Sequence, residues 1–289
     1  MAKIAVNSER RGTITATRLA AGTGWTVQDV VCTCGPDDRP FDEQHDRVSI
    51  AIVTSGTFQY RGSAANGREL MTPGSVLLGS PGQCFECGHE HGVGDRCLSF
   101  QFTAEYFDAI TAGGRRFQSL RLPPLRALSP VIADACAALA GSAPVGPVGD
   151  VAWEELGVRL AARAVQLDRN RAVDERAVTP AAVARVTRAV RTIETASDQP
   201  WTLIALAREA RLSPFHFLRT FETVAGITPH QYVIRERLRA AARRLAGNER
   251  ITDIALGVGF SDISNFNRGF RIEFGVSPTA YRRRRSCGA

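Results

Sequence analysis

One pattern near the end of the chain is written twice. LIALAREARLSPFHFLRTFETVAGITPHQY (203–232) and ITDIALGVGFSDISNFNRGFRIEFGVSPTAY (251–281) follow the same plan. Each opens with a short apolar stretch and reaches a tight turn, Arg211-Leu212-Ser213 in the first and Gly259-Phe260-Ser261 in the second. Each then starts a second helix behind Ser or Asp, residues that cap a helix by accepting its free N–H groups. The second helices carry phenylalanine at matched places, Phe217 and Phe221 against Phe266 and Phe270, with Arg219 and Arg268 ahead of the last of them. Each ends in glycine, Gly226 or Gly275, followed by Thr-Pro or Ser-Pro and then Tyr232 or Tyr281. The glycine closes one helix and the proline opens the next. The chain therefore encodes one helix-turn-helix unit twice, about 49 residues apart.

The i, i+4 recurrence of the phenylalanines assigns them to the cores of their units. The polar positions of the same helices, His216, Arg219, Thr220, Ser264, Asn265 and Arg268, are left to face outward. A helix of roughly 17 residues between the units is ~25 Å long. With the units' own widths, that sets the two second helices about one duplex turn, ~34 Å, apart. Charge points the same way. Residues 171–289 hold 20 Lys+Arg and 11 Asp+Glu, a net of +9, whereas residues 1–170 carry a net of −2. A basic surplus confined to one part is the electrostatic footprint of a nucleic-acid partner. Nearly all of it is arginine, whose planar fork suits phosphate and guanine.

Residues 180–289 resemble the DNA-binding domain of the AraC/XylS family of bacterial transcription regulators. The second unit, IALGVGFSDISNFNRGFRIEFGVSPTAYRR, matches the family's signature almost throughout. The resemblance implies that the first residues of each second helix meet base edges in the major groove of double-stranded DNA. By position these are Ser213, Phe215, His216, Leu218 and Arg219 in the first unit, and Asp262, Ile263, Ser264, Asn265 and Arg268 in the second. Leu218 and Ile263 are apolar where polar readers are common, so contact with thymine methyls takes the place of hydrogen bonds there. The terminal YRRRR run is assigned to phosphates. RNA polymerase, a small-molecule effector and a second copy of the chain are the further partners such a regulator implies. No enzymatic activity is expected.

The first half reads differently. From 12 to about 105, short apolar runs such as WTVQDVVCTC and VSIAIVTSGTFQYRG alternate with turns at GPDD, ANG, TPG, SPG and GVGD. That pattern predicts a small barrel or sandwich. Two helical stretches follow, PPLRALSPVIADACAALAGS and VAWEELGVRLAARAVQLDR, with a Pro/Gly loop at 141–150 between them. The expectation is an α+β chain of two domains. Residues 1–170 form a cupin-like β-barrel with two C-terminal helices, 171–180 a linker, and 181–289 the all-α double helix-turn-helix. The cupin-like assignment rests on resemblance to the sensor domains that precede many AraC-type domains, and so does the assignment of VAWEELGVRLAARAV as a dimer helix. That helix could equally just cover the barrel. No window of eighteen consecutive apolar residues occurs, so no membrane span is expected. The start lacks a secretory apolar region, and a cytoplasmic location with reduced thiols is expected.

Residues 84–97, CFECGHEHGVGDRC, concentrate three of the seven cysteines and two of the five histidines. Reading 85–91 as a strand puts Cys87, His89 and His91 on one face and Cys84 on the other. Cys97 then meets that face across a hairpin. Cys32, Cys34 and His45 are further donors from separate strands. Thiolate and imidazole are the ligands Zn²⁺ takes in a four-coordinate site. The metal candidates are Cys32, His45, Cys87, His89, His91 and Cys97, with Cys34 in reserve, and Cys87, Cys97, His89 and Cys32 come first. Other readings stay open. The thiols can sense electrophiles or accept a methyl group, or they can simply pack as small hydrophobes. A two-His carboxylate Fe(II) site from His45, Glu86, His89 and Glu90 would make the barrel an enzyme. Cys136 and Cys287 are read as bystanders.

Overall fold

The computed structural model describes residues 12–62, 68–111, 117–141, 150–170 and 178–286. Ten strands occupy the first part: β1 (Ile14–Gly22), β2 (Trp25–Cys32), β3 (Phe41–Gln44), β4 (Val48–Gly56), β5 (Phe58–Gly62), β6 (Arg68–Met71), β7 (Val76–Gly79), β8 (Cys84–Gly88), β9 (Asp95–Phe102) and β10 (Arg121–Leu122). They pair antiparallel in two sheets, ordered β1-β2-β9-β4-β7-β10 and β3-β8-β5-β6. Among the described residues no pairing closes the two into one barrel. The sheets pack face to face around Ala51, Val53, Leu77 and Cys97 from the first and Phe58, Tyr60, Met71, Phe85 and Cys87 from the second.

The outer face of the larger sheet is covered by α1 (Ala104–Thr111), α2 (Ser129–Gly141) and α3 (Asp150–Arg169). This explains why VSIAIV is apolar without alternation. Ile50 and Ile52 meet the helices while Ala51 and Val53 meet the other sheet. Leu98, Phe100 and Phe102 likewise face the helices, and Cys97 points into the sandwich, as the period-2 pattern required. The helix expected to form a dimer, α3, buries Trp153, Leu156, Leu160, Ala161 and Ala164 against the sheet. The side it leaves exposed carries Glu155, Arg159, Arg163 and Gln166.

The second part is helical: α4 (Pro180–Thr195), α5 (Leu203–Glu209), α6 (Pro214–Ala225), α7 (Pro229–Arg244), α8 (Ile251–Gly257), α9 (Ile263–Phe274) and α10 (Pro278–Ser286). Most of the expected linker, 171–180, lies outside the described residues; of its described end, Thr179 caps α4 by accepting from the Ala182 N–H, and Pro180 is already the first residue of that helix. α5–α6 and α8–α9 are the two helix-turn-helix units, and the 16 residues of α7 run between them. Phe217, Phe221, Phe266 and Phe270 are each 0% exposed. Fully burying a side chain of that kind contributes roughly 1.5–3 kcal/mol. Gly226 and Gly275 end α6 and α9 in the left-handed conformation (φ 78 and 73), which a β-carbon would disfavour.

The two parts are packed together. Leu70 of β6 is buried with Val186, Phe217, Phe221 and the rest of the first unit's core. Ala133 of α2 joins the core of the second unit, and Ser129 donates to Glu273 of α9 at 2.7 Å. A cavity of about 590 Å³ lies between the parts, lined by Ser55, Cys136, Glu194, Arg239, Phe274 and Tyr281 among others.

Candidate nucleic-acid interface and buried cysteine cluster

The cores of the units fix which side chains face outward. With the phenylalanines inside, Ser213, Phe215, His216 and Arg219 are exposed at the start of α6, and Leu218 is half-buried. Asp262, Ser264, Asn265 and Arg268 are exposed at the start of α9, and Ile263 is half-buried against the second core. Two of these residues already have structural work. Ser213 accepts from the His216 N–H, and Asp262 accepts from the N–H groups of Ser264 (2.6 Å) and Asn265 (3.4 Å). Both are N-caps, worth about 1 kcal/mol each to their helices. Phe215, 68% exposed, has the Arg219 guanidinium 5.8 Å from its ring centre. Arg268 donates to the Asn265 side-chain oxygen at 2.8 Å, so these two exposed side chains of α9 are held beside each other.

A device not visible in the repeat ties the units together. Arg237 of α7 donates to the carbonyls of Ser197, Gln199 and Gly259, each at 2.7 Å. It thus joins the loop before the first unit to the turn of the second. The turn of the first unit puts Arg211 at φ 54 where the second uses Gly259 at φ 93.

Of the expected ligands, Cys32 and His89 come together with Asp95, and Cys97 joins them through its bond to Asp95, though not across a hairpin; Cys87 is not in that group. β8 ends at Gly88, and residues 89–94 cross from the smaller sheet to β9 in the larger one. The expected strand 85–91 is therefore too long. The chain must leave one layer for the other, and Gly94, at φ 71, makes the return. His89 and His91 do not share a strand face with Cys87. Cys32 and Asp95 are register partners, as are Val30 and Cys97, so these four side chains point the same way off adjacent strands. One donor atom each of Cys32, His89 and Asp95 lies within 4.8 Å of the others. His89 Nε2 is 2.6 Å from Asp95 Oδ1, and the Cys97 thiol donates to Asp95 Oδ2 at 3.3 Å. Burial pushes the Cys32 thiol up, with the Asp95 charge adding to it. Cys87 and Cys97 are also raised, first by burial and then by carboxylates, Glu43 and Asp95 for Cys87 and Asp95 for Cys97. Asp95 was missed in the sequence. The signal was its placement two residues before Cys97 on the same face.

His45 and His91 are not brought to this group. His45 Nε2 shares a 3.0 Å hydrogen bond with the Tyr60 hydroxyl, and its ring lies 4.5 Å from that of Phe85. Burial lowers its pKa to about 4, against the opposing charge of Asp46. His91 stands 3.8 Å from Glu90 and borders α4. Cys34 is buried beside Cys32, and Cys84 is exposed. The two-His carboxylate arrangement is not assembled. Glu86 faces Arg61 at 3.7 Å, Glu90 pairs with Arg68, and His45 is held by Tyr60. Cys136 is half-buried at the cavity between the parts, and Cys287 lies outside the described residues.

Residues 206–284 match the family described as a helix-turn-helix domain. A probable transcriptional regulator, LumQ of Photobacterium leiognathi, is 40% identical over 77 residues, 26% of this chain and 31% of its own length. The regulatory protein SoxS of Salmonella typhimurium is 38% identical over 88 residues, 30% of this chain and 82% of SoxS. Among solved structures, the C-terminal domain of AraT, a response regulator from Geobacillus stearothermophilus, is 29% identical with a TM-score of 0.34, covering 37% of this chain and 87% of that domain. The chain thus spans under a third of LumQ but most of SoxS, and the match to the helix-turn-helix family falls on the doubled unit. No described helix is long and apolar enough to cross a membrane. The chain belongs to the AraC/XylS family of DNA-binding transcription regulators.

Proposed function

We propose that this chain reads a specific duplex sequence with the first turns of α6 and α9, and that its β-rich part is a sensor domain that sets DNA affinity or activation and contains a Cys/His zinc site. One observation carries the DNA reading. The second helices bury Phe217 and Phe221, and Phe266 and Phe270, completely and leave the polar residues of their first turns exposed, in a part of net charge +9. His216 and Arg219 in α6, and Ser264, Asn265 and Arg268 in α9, are the base readers. Ser213 and Asp262 act mainly through the caps they form. Phe215 and Leu218 offer apolar contact to thymine methyls, and Ile263 does so with the part its core leaves exposed. The test is a base-by-base affinity profile of Arg268→Ala. If Arg268 reads a guanine, the loss is about 1–3 kcal/mol at one base pair. Uniform weakening with a shallower salt dependence would make it a phosphate contact instead.

The zinc reading is supported by the convergence of Cys32, His89 and Asp95, with Cys97 bonded to the same carboxylate. Thiolate, imidazole and carboxylate oxygen are all zinc ligands, and four of them complete a tetrahedral shell. The methyl-accepting and thiol-sensing alternatives need an accessible thiolate. Cys32, Cys87 and Cys97 are buried, which works against both alternatives, with the cysteine metal-bound or free. An effector in the cavity between the parts, a second copy of the chain and RNA polymerase complete the proposed partners. The cupin-like description of the two-sheet half belongs to the same proposal.

A further inference from the structure

Resting on the zinc reading above, we propose that the Cys32–Asp95 cluster is a control point that reports metal occupancy to the DNA-binding part through Arg191 of α4. His89 and Asp95 stand at the two ends of the crossover 89–94, and their 2.6 Å hydrogen bond closes its base. The tip of the same crossover is held by the other part of the protein. Arg191 donates to the Val93 carbonyl at 3.4 Å and to the Thr57 hydroxyl at 2.9 Å. Its guanidinium also lies against Gly92, so closely that a β-carbon there would overlap it. The crossover is thus six residues of chain with a donor cluster at its base and a helix of the DNA-binding part at its tip.

Occupancy must alter the base. In the structure described here, His89 and the Cys97 thiol both bond the Asp95 carboxylate. A cation would take the imidazole lone pair, the carboxylate and the thiolates as ligands, releasing the thiol protons to solvent. With bonds of about 2.0 Å at tetrahedral angles, a nitrogen and an oxygen on one zinc ion stand roughly 3.3 Å apart. The His89 ring and the Asp95 carboxylate, at the ends of the crossover, would then move apart beyond their present contact. Gly94 also donates to the Cys34 carbonyl at 2.8 Å, which ties the return of the crossover to the β2 side of the cluster. The part of the turn free to respond is the stretch under Arg191. α4 is in turn joined to α7, since Tyr232 donates to Glu194 at 2.8 Å, and α7 carries Arg237 between the two units.

The test uses the full chain, with zinc alone as the probe. Zinc stoichiometry and amide hydrogen exchange over residues 186–196 are measured with and without the metal, in the parent and in Arg191→Met. Thr57→Val, which removes the separate 2.9 Å bond that positions the Arg191 guanidinium against the crossover, serves as a second uncoupling variant. The parent is expected to bind one zinc and to change its exchange in 186–196 by about fivefold or more. Both variants are expected to bind zinc equally but to lose that response. Asp95→Asn and Cys32→Ser should lose zinc while keeping their far-ultraviolet circular dichroism. Zinc bound with no change in 186–196, or with the same change in both uncoupling variants, overturns the coupling and leaves the zinc site intact. A parent that binds no zinc overturns both.

Discussion

Single residues decide the quality of the two turns. Gly259 sits at φ 93, and a β-carbon on it would stand 2.6 Å from the Asp198 carbonyl and 2.9 Å from the Arg237 guanidinium. Gly259→Ala should cost about 1–3 kcal/mol in a thermal or denaturant melt. Arg211 bears the corresponding strain in the first unit, so Arg211→Gly should be neutral or stabilise by up to about 1 kcal/mol. The repeat made the two turns comparable on paper, but the sign of φ at Arg211 follows from backbone closure and not from its side chain. Glu194 offers a pH test. Burial pushes its carboxyl up to about 8; the neighbouring Glu236 adds to the rise, while the Tyr232 hydroxyl, Arg191 and Arg239 oppose it. The folded state therefore holds a proton that the unfolded chain releases near 4.5. Its stabilising contribution is full below that pH and is lost as pH rises through about 8. A plot of stability against pH from 5 to 9 should fall more steeply for the parent than for Glu194→Gln.

At the scale of elements, the helical half was legible and the β half only in outline. Periodicity, caps and terminal glycines are local, so α5, α6, α8 and α9 follow from spacing alone, and the four phenylalanines fall in the cores as expected. The strands were also visible as apolar runs, and the facing of Leu98, Phe100, Phe102 and Cys97 followed from alternation. Partner choice was not visible, because pairing is non-local. Nothing in CFECGHEHGVGDRC says that β8 and β9 enter different sheets, and the expectation of a hairpin over those residues failed there. That assembly, in turn, is what brings Cys32 and Asp95 into register and leaves His45 with Tyr60. Leu70 is a further case. As part of ELMTPG it reads as an ordinary strand residue, yet it completes the core of a helical unit. Leu70→Ala should cost about 2–5 kcal/mol and lower the melting of the helical half as well as the β half.

For the whole molecule, the spacing of the two units sets what it can bind. Two matched units are held by the 16-residue α7 and by the three carbonyls that Arg237 engages, and both leave the polar residues at the start of their second helices outward. Such a body should address two successive major-groove segments of one duplex face, about 10 base pairs apart. A part of net charge +9 should meet DNA largely through its phosphates, so binding should weaken steeply with salt. The basic half supplies that attraction, and the β-rich half, packed on it through Leu70, Ser129 and Arg191, is in contact with the helices it would regulate. The most direct measurement is selection of binding duplexes from a random pool by the full chain at physiological salt. The expected result is one enriched sequence with two short conserved boxes centred about one helical turn apart, the second box changing when Arg268 is replaced. A pool that stays random, or a single box untouched by changes in α9, would contradict a body that reads DNA with both units.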